Sequence, residues 1–373
     1  MVSDGATEDS RLRTTLTEPD RRGQRLASGG PPQHSGRMGA HELDRDGQDE
    51  GRGLDGLDDL AASARAELVA EIDASGAWTG DPVWREAFLV VPRHLFVPYY
   101  YVGVMDGYER RWSESPDARG RERWLRGVYA DTPLATRLHD GELVSSSSQP
   151  SLMALMLAEL EVADGDRVLE IGTGTGYNAA LLAHRLGDDD LVTTVDLEPE
   201  ITEAARRHLA VAGFRPVVVT GDGAGGVPER APFDRIIATC TLRSIPPAWL
   251  AQCRPGARVL APLATGLIAL TVRDAGQAEG RFLHTPAYFV PLRGGGPEPE
   301  PAPLGGVPRP ARDHELFRFL LALTRSALAP QEAYALWERE GRPPRDRYGI
   351  TVSGGREWAW LDEPEGPYAW PLR

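Results

Sequence analysis

At 373 residues the chain exceeds one average domain, and its formal net charge of −14 would repel a phosphate backbone, which excludes nucleic acid as a partner. With 26% charged and 41% apolar residues it has the composition of a soluble globular protein. Cys240 and Cys253 are too few for a disulfide framework and point to a reducing compartment; no signal-like start and no apolar run of about 18 residues gives a cytoplasmic expectation without membrane contact.

Residues 1–56 mix Arg, Asp, Gly, Ser and Pro with few large apolar side chains, so a disordered tail is expected there. Order is expected from Leu57, where "LDDLAASARAELVAEIDASG" carries apolar residues at helical spacing up to Gly76 and leads into "DPVWREAFLVVPRHLFVPYYY". The segment 101–127 is dense in Arg and Trp, lacks a period, and reads as an insertion in a main domain spanning 57–293.

From Asp164 to Val272 short β-branched runs alternate with amphipathic helices, the signature of an α/β fold. The expected strands are "RVLEI", "LVTTVD", "PVVVT", "DRIIATC", "RVLAPL" and "LIALTV", with "YFVPL" (288–292) a later one. Residues 294–311, rich in Pro and Gly, read as an extended linker. In 312–373, "RDHELFRFLLALTRSALA" is helical by period and "YGITVSGGREWAWLD" reads as two strands around a Ser-Gly-Gly turn, which predicts a small C-terminal α+β extension.

"RVLEIGTGTGYNAALLA" is a strand, a glycine turn and a helix, an arrangement in which backbone N–H groups and a helix N-terminus face a ligand. Gly172, Gly174 and Gly176 are spaced G-x-G-x-G, and Tyr177 stands where the dinucleotide fingerprint has its last glycine, which disfavours NAD or FAD. Glu170, Asp196 and Asp222 end three successive strands and are expected to converge on the crevice where such sheets bind ligands. A ligand with a sulfonium, an amino group and a ribose suits them. On spacing alone, the glycines could equally make only a tight turn, and Asp222 could be a helix cap.

These stretches, with "TVDLEPE", "GDGAGGVPERAPFDRIIATC" and "CRPGARVLAPL", resemble the successive motifs of class I S-adenosylmethionine-dependent methyltransferases. "VPRHLFVP", "VYADTPL" and "SSQP" upstream resemble the protein-L-isoaspartate (D-aspartate) O-methyltransferase family in particular, with the likeness running from about Trp84 to about Leu292. The resemblance implies a doubly wound, mostly parallel seven-stranded Rossmann-like sheet with helices on both faces. It implies an S-adenosylmethionine site at Glu170, Gly172, Thr173, Gly174, Gly176 and Tyr177, with Asp196 and Leu197 at the ribose, Asp222 and Gly223 at the adenine, and Thr239 alongside. In "SSSSQP" it matches Ser148 and Ser146 to hydroxyl residues at the substrate carboxylate, while Ser147 replaces an apolar residue. From spacing alone the serine run reads as a loop or cap before a helix entered at Pro150.

The implied reaction is methyl esterification of an aspartyl or isoaspartyl carboxylate in a protein or peptide. It needs no base, because a carboxylate with a pKa near 4 is already ionised at pH 7. No histidine has ligand spacing for a metal. "ATCTLRSIPPAW" lacks the Pro-Pro-aromatic turn of amino-methyltransferases, since Pro246 and Pro247 come too late. The additional segments resemble those of methyltransferases acting on ribosomally made, cyclised peptides. Arg110, Arg111, Arg119, Arg121, Arg123 and Arg126 either pair with an acidic substrate or form a solvated face. Small-molecule O-methylation and a silent cofactor-binding scaffold are the competing readings.

Overall fold

The computed structural model describes residues 49–78, 82–105, 107–293, 304–324 and 327–372. The tail expected over 1–56 lies outside them up to position 48. From there α1 (Asp49–Ser75) runs unbroken, beginning earlier than the sequence pattern indicates and burying Ala61, Ala64, Leu68 and Ile72 along one stripe. Next comes α2 (Pro82–Val90), which buries Trp84, Ala87 and Phe88.

The expected insertion is integral to the domain. It forms β1 (Tyr99–Val104), β2 (Gly107–Trp112) and α3 (Ala118–Val128), the last capped by Asp117, whose carboxylate accepts from Arg119 N. With β3 (Leu134–His139) and β4 (Glu142–Ser147) the strands make an antiparallel sheet in the order β2-β1-β3-β4. Tyr100, Trp124, Leu125 and Val128 belong to the same buried cluster as α1, α2, α4 (Pro150–Glu159) and α5 (Tyr177–Leu186). A segment with this many arginines joins a core because Trp124, Leu125 and Val128 of α3 are buried together.

The main sheet is built from β5 (Val168–Ile171), β6 (Val192–Asp196), β7 (Val217–Thr220), β8 (Phe233–Ala238), β9 (Cys253–Leu263), β10 (Gly266–Asp274) and β11 (Gln277–Pro286), in the order β7-β6-β5-β8-β9-β10-β11. The ladders from β7 to β9 are parallel, and β10 and β11 add antiparallel. Helix α6 (Pro199–Ala212) links β6 to β7, and α7 (Pro247–Ala251) links β8 to β9. Strand order reverses between β5 and β8, so a crevice opens at their C-terminal ends.

Two expectations are corrected. "YFVPL" is not a strand: the seventh strand is β11, whose pattern is faint because Ala278 and Phe282 are its only buried apolar side chains. The sheet also continues past seven. Beyond α8 (Arg309–Arg312), α9 (Glu315–Leu323) and α10 (Pro330–Arg339), strands β12 (Tyr348–Ser353), β13 (Arg356–Leu361) and β14 (Ala369–Pro371) pair in turn onto β11, giving ten strands. Gly354 and Gly355, both at positive φ, make the expected turn between β12 and β13.

Phe317, Leu320, Trp337 and Tyr348 share one buried cluster with Leu169, Ile171 and Val195 of β5 and β6. The C-terminal α+β segment is therefore a continuation of the main sheet and its core. Of the expected linker, positions 294–303 lie outside the described residues, while Val307 and Ala311 are buried in that cluster.

Candidate functional site

At the crevice lies an open cleft. Its walls come from the β4 end, the β5–α5 turn, the β6 end, Gly223, Thr239 and Cys240, and the segment 290–293.

The glycine turn is held by its own backbone geometry. Gly172, Gly174 and Gly176 have φ of +98°, +51° and +86°, which L side chains rarely adopt. Their reasons differ. A Cβ on Gly172 would meet Thr239 Oγ1 at 2.6 Å, and one on Gly176 would press on Leu209 and Ala205 of α6 at 3.2–3.3 Å. Gly176 thus serves helix packing and does not line the cleft, whereas Gly172 and Gly174 do.

Glu170 is fully buried, and its two oxygens accept from Asn178 Nδ2 at 2.7 Å and Thr194 Oγ1 at 2.6 Å, the latter also bonded to Thr173 Oγ1 at 2.8 Å. Burial pushes its pKa up to about 7 against these two hydrogen bonds, with the Asp196 charge adding to the rise. A folded-state pKa above the ordinary value of 4.5 means that the folded chain binds the extra proton between those values. Its stabilising share is whole below about 4.5 and is lost as pH rises through about 7. Glu170→Gln is therefore expected to be more stable than the parent by about 1–3 kcal/mol at pH 8, the gap closing towards pH 5, as read by denaturant unfolding at both pH values.

Asp196, 9% exposed, accepts from Gly174 N at 3.1 Å through one oxygen and faces Arg293 at 3.3 Å through the other. Arg293 also pairs with Glu198, which Arg137 of β3 approaches at 3.7 Å. Leu197 lines the cleft beside them. Asp222 does not: its exposed carboxylate accepts from Ala224 N at 2.9 Å and caps a short turn, while Gly223 behind it faces the cleft. Thr239 spends its hydroxyl on Gly172 O at 2.8 Å and so fastens β8 to the glycine turn. Tyr177 is buried against Phe88 and Phe96 and borders the cleft's inner wall.

The four serines at and just past the end of β4 differ in their bonding. Ser145 Oγ accepts from Thr136 Oγ1 at 3.3 Å, and Ser147 Oγ accepts from Arg93 at 3.2 Å. All four serines border the cleft, and the hydroxyls of Ser146 and Ser148 make no hydrogen bond among the described residues. Hydrogen bonding thus divides the run into two anchored hydroxyls and two available ones.

Arg93 was not singled out by sequence. Within "VPRHLFVP" it looks like a surface residue, yet it is wholly buried. It donates to Val128 O at 2.9 Å, Ala130 O at 3.4 Å, Ser147 Oγ at 3.2 Å and Ser148 O at 3.0 Å, and lies 5.9 Å from the Tyr177 ring centre. Burial lowers its pKa to about 10, so it stays charged at neutral pH directly behind the serine strip. Asp131 completes the support: it accepts from Gln149 Nε2 at 3.0 Å and from Ser151 N at 2.8 Å, capping α4. A signal for Asp131 was present in "VYADTPL"; for Arg93 there was none beyond the motif.

The arginines of the hairpin and α3 are largely engaged locally. Arg110 stacks on Tyr99, Arg121 donates to Ser115 O, Arg123 faces Asp117 and Arg126 pairs with Glu122. Among the described residues there is no metal-holding cluster, and no helix is long and apolar enough to cross a membrane.

A parallel sheet reversing at a glycine turn, with an acid ending the next strand, is the arrangement by which α/β folds bind nucleotide cofactors, and the fold is that of the S-adenosylmethionine-dependent methyltransferases. A family model described as protein-L-isoaspartate(D-aspartate) O-methyltransferase (PCMT) matches residues 119–295. A protein-L-isoaspartate O-methyltransferase of Archaeoglobus fulgidus is 35% identical over 205 residues, 55% of this chain and 82% of its own length; that of Methanopyrus kandleri is 33% identical over 251 residues, 65% and 98%. The Thermotoga maritima relative is 40% identical over 168 residues, 43% of this chain, which spans 51% of that protein. A solved protein-L-isoaspartate O-methyltransferase superposes with a TM-score of 0.54 over 82% of this chain and 98% of its own, at 23% identity, a likeness of fold. The chain belongs to the protein-L-isoaspartate O-methyltransferase family, whose members use S-adenosylmethionine to methylate carboxylates of aspartyl-type residues in proteins.

Proposed function

We propose that this chain esterifies the α-carboxylate of L-isoaspartyl residues in proteins or peptides, with Ser146 and Ser148 holding the acceptor. The observation that carries the reading is the pair of available hydroxyls, Ser146 and Ser148, in the serine strip that borders the cleft opposite the glycine turn, whose Gly174 lies close enough for a Cβ to meet Ser146 O at 3.5 Å. The cleft also fits the donor. Gly172 and Gly174 present bare backbone, Asp196 offers carboxylate oxygens at the ribose position, and Ile171, Val195, Leu197 and Leu292 add apolar surface.

S-adenosylmethionine supplies an electrophilic methyl group when bound. The chain's own residues orient and desolvate. Ser146 and Ser148 donate to one acceptor oxygen and leave the other free to attack, and the buried Arg93 charge behind them favours an anion at that place. Cys240, its thiol pushed up to about 12 by burial, has no nucleophilic part to play. Glu170 supports the turn through Asn178 and Thr194, and Thr239 does so through Gly172.

The test is base-labile methanol release from an isoaspartyl peptide after incubation with labelled donor. Ser146→Ala and Ser148→Ala should each cut kcat/KM by about 10- to 100-fold with donor affinity unchanged, the loss of one hydrogen bond to a charged group. Unaltered turnover in both variants would remove the serines from the reaction.

A dedicated acceptor, an aspartate in a cyclised ribosomal peptide, is the second reading. It is favoured by the β1–β2 hairpin, which shares a sheet with the serine strand, lies outside residues 119–295, and exposes Val104, Met105 and Tyr108. Parallel assays with a cyclised aspartyl peptide and a linear isoaspartyl peptide separate the two.

A further inference from the structure

The segment Thr239–Ile245 joins three parts of the cleft. Thr239 bonds the glycine turn through Gly172 O. Thr241 exchanges backbone bonds with the segment carrying Val290–Leu292, donating to Val290 O and accepting from Leu292 N, both at 2.9 Å, while its hydroxyl donates to Phe289 O. Leu242 N donates to Pro262 O of β9 at 2.8 Å. At the far end, Ile245 N is the last amide donor before Pro246 and Pro247, which have none. That amide is buried and is bonded by the Glu357 carboxylate at 2.9 and 3.1 Å. Glu357 lies on β13, 3% exposed, in the C-terminal segment beyond residues 119–295.

We propose that Glu357 is a positioning residue for donor binding. Its carboxylate fixes the Ile245 end of the segment, so that Thr239 and Cys240 at the other end hold the wall of the cleft between the glycine turn and Leu292. The C-terminal segment is then part of the donor pocket's construction. This inference rests on the reading of the cleft as the donor site.

The experiment measures S-adenosylhomocysteine binding to the full chain by calorimetry, with melting recorded alongside. Glu357→Ala is expected to weaken binding about tenfold, while Glu357→Gln, which keeps an acceptor oxygen for Ile245 N, stays within about threefold of the parent. Leu336→Ala, in α10 of the same buried cluster, is the control: it should lower the melting temperature yet leave affinity within about twofold. Should Glu357→Ala be insoluble, Glu357→Asp, one methylene short of Ile245, carries the test with an expected loss of about fivefold. Affinity unchanged in the Glu357 variants, or lost equally in Leu336→Ala, overturns the proposal. Absence of binding by the parent chain overturns the donor-site reading instead.

Discussion

Replacing Asp196 by alanine is expected to weaken S-adenosylhomocysteine binding by about 100-fold, the equivalent of two hydrogen bonds to a charged acceptor. The carboxylate ends β6 at the switch point of the sheet, where an acid meets ribose hydroxyls. It is nearly buried and already accepts from Gly174 N, so it is oriented before any ligand arrives. Asp196→Asn keeps one acceptor and should lose about tenfold. Arg293 opposes Asp196 across the cleft edge, so affinity should also depend on ionic strength less than a solvent-exposed pair would predict. Calorimetry on folded protein reads all three, and an Asp196→Ala affinity within twofold of the parent would falsify the ribose assignment.

The second large effect is at Arg93. Arg93→Met should cost about 4 kcal/mol or more of stability, because the carbonyls of Val128 and Ser148 lose their donor inside the core. At a temperature where the variant remains folded, kcat on an isoaspartyl peptide should fall about 100-fold, since the strip bearing Ser146 and Ser148 loses its anchor and the acceptor loses a nearby positive charge. Donor affinity should change little, because Arg93 contacts β4 and α3 and not the glycine turn. Arg93→Lys would rescue only part: an ammonium cannot reach both Val128 O and Ser148 O from one side chain. Denaturant unfolding, steady-state kinetics and calorimetry together separate these effects.

Local signals in the chain were legible where local chemistry sets the structure. The glycine turn, the acid ending β6, the proline-led entry of α4 and the Gly354–Gly355 turn could all be read from short stretches, because each depends on φ preferences or on a residue's place at the end of a run. What could not be read depends on distant partners. "YFVPL" has the apolar run of a strand, but among the described residues it pairs at the cleft edge with Thr241 alone, while β11 is a strand because β10 and β12 flank it. The C-terminal strands read correctly as strands, yet nothing in them says that they extend a sheet begun 180 residues earlier, from Val168 to Tyr348. Arg93 and Glu357 were invisible for the same reason: their burial is decided by segments 35 to 112 residues away. Asp222 takes the alternative that the sequence also offered, a carboxylate at a strand end that turns back to cap its own loop.

The far margin of the sheet has its own consequence. β14 is three residues long and contains Pro371, so the ladder finishes in a stub that offers few free backbone groups to another chain. The strand it covers, β13, reads "REWAWL" and carries Trp358 and Trp360. Preparations clipped by a protease between Leu361 and Ala369 would lay this tryptophan-bearing margin bare, and self-association into insoluble material would follow before any loss of catalysis was noticed.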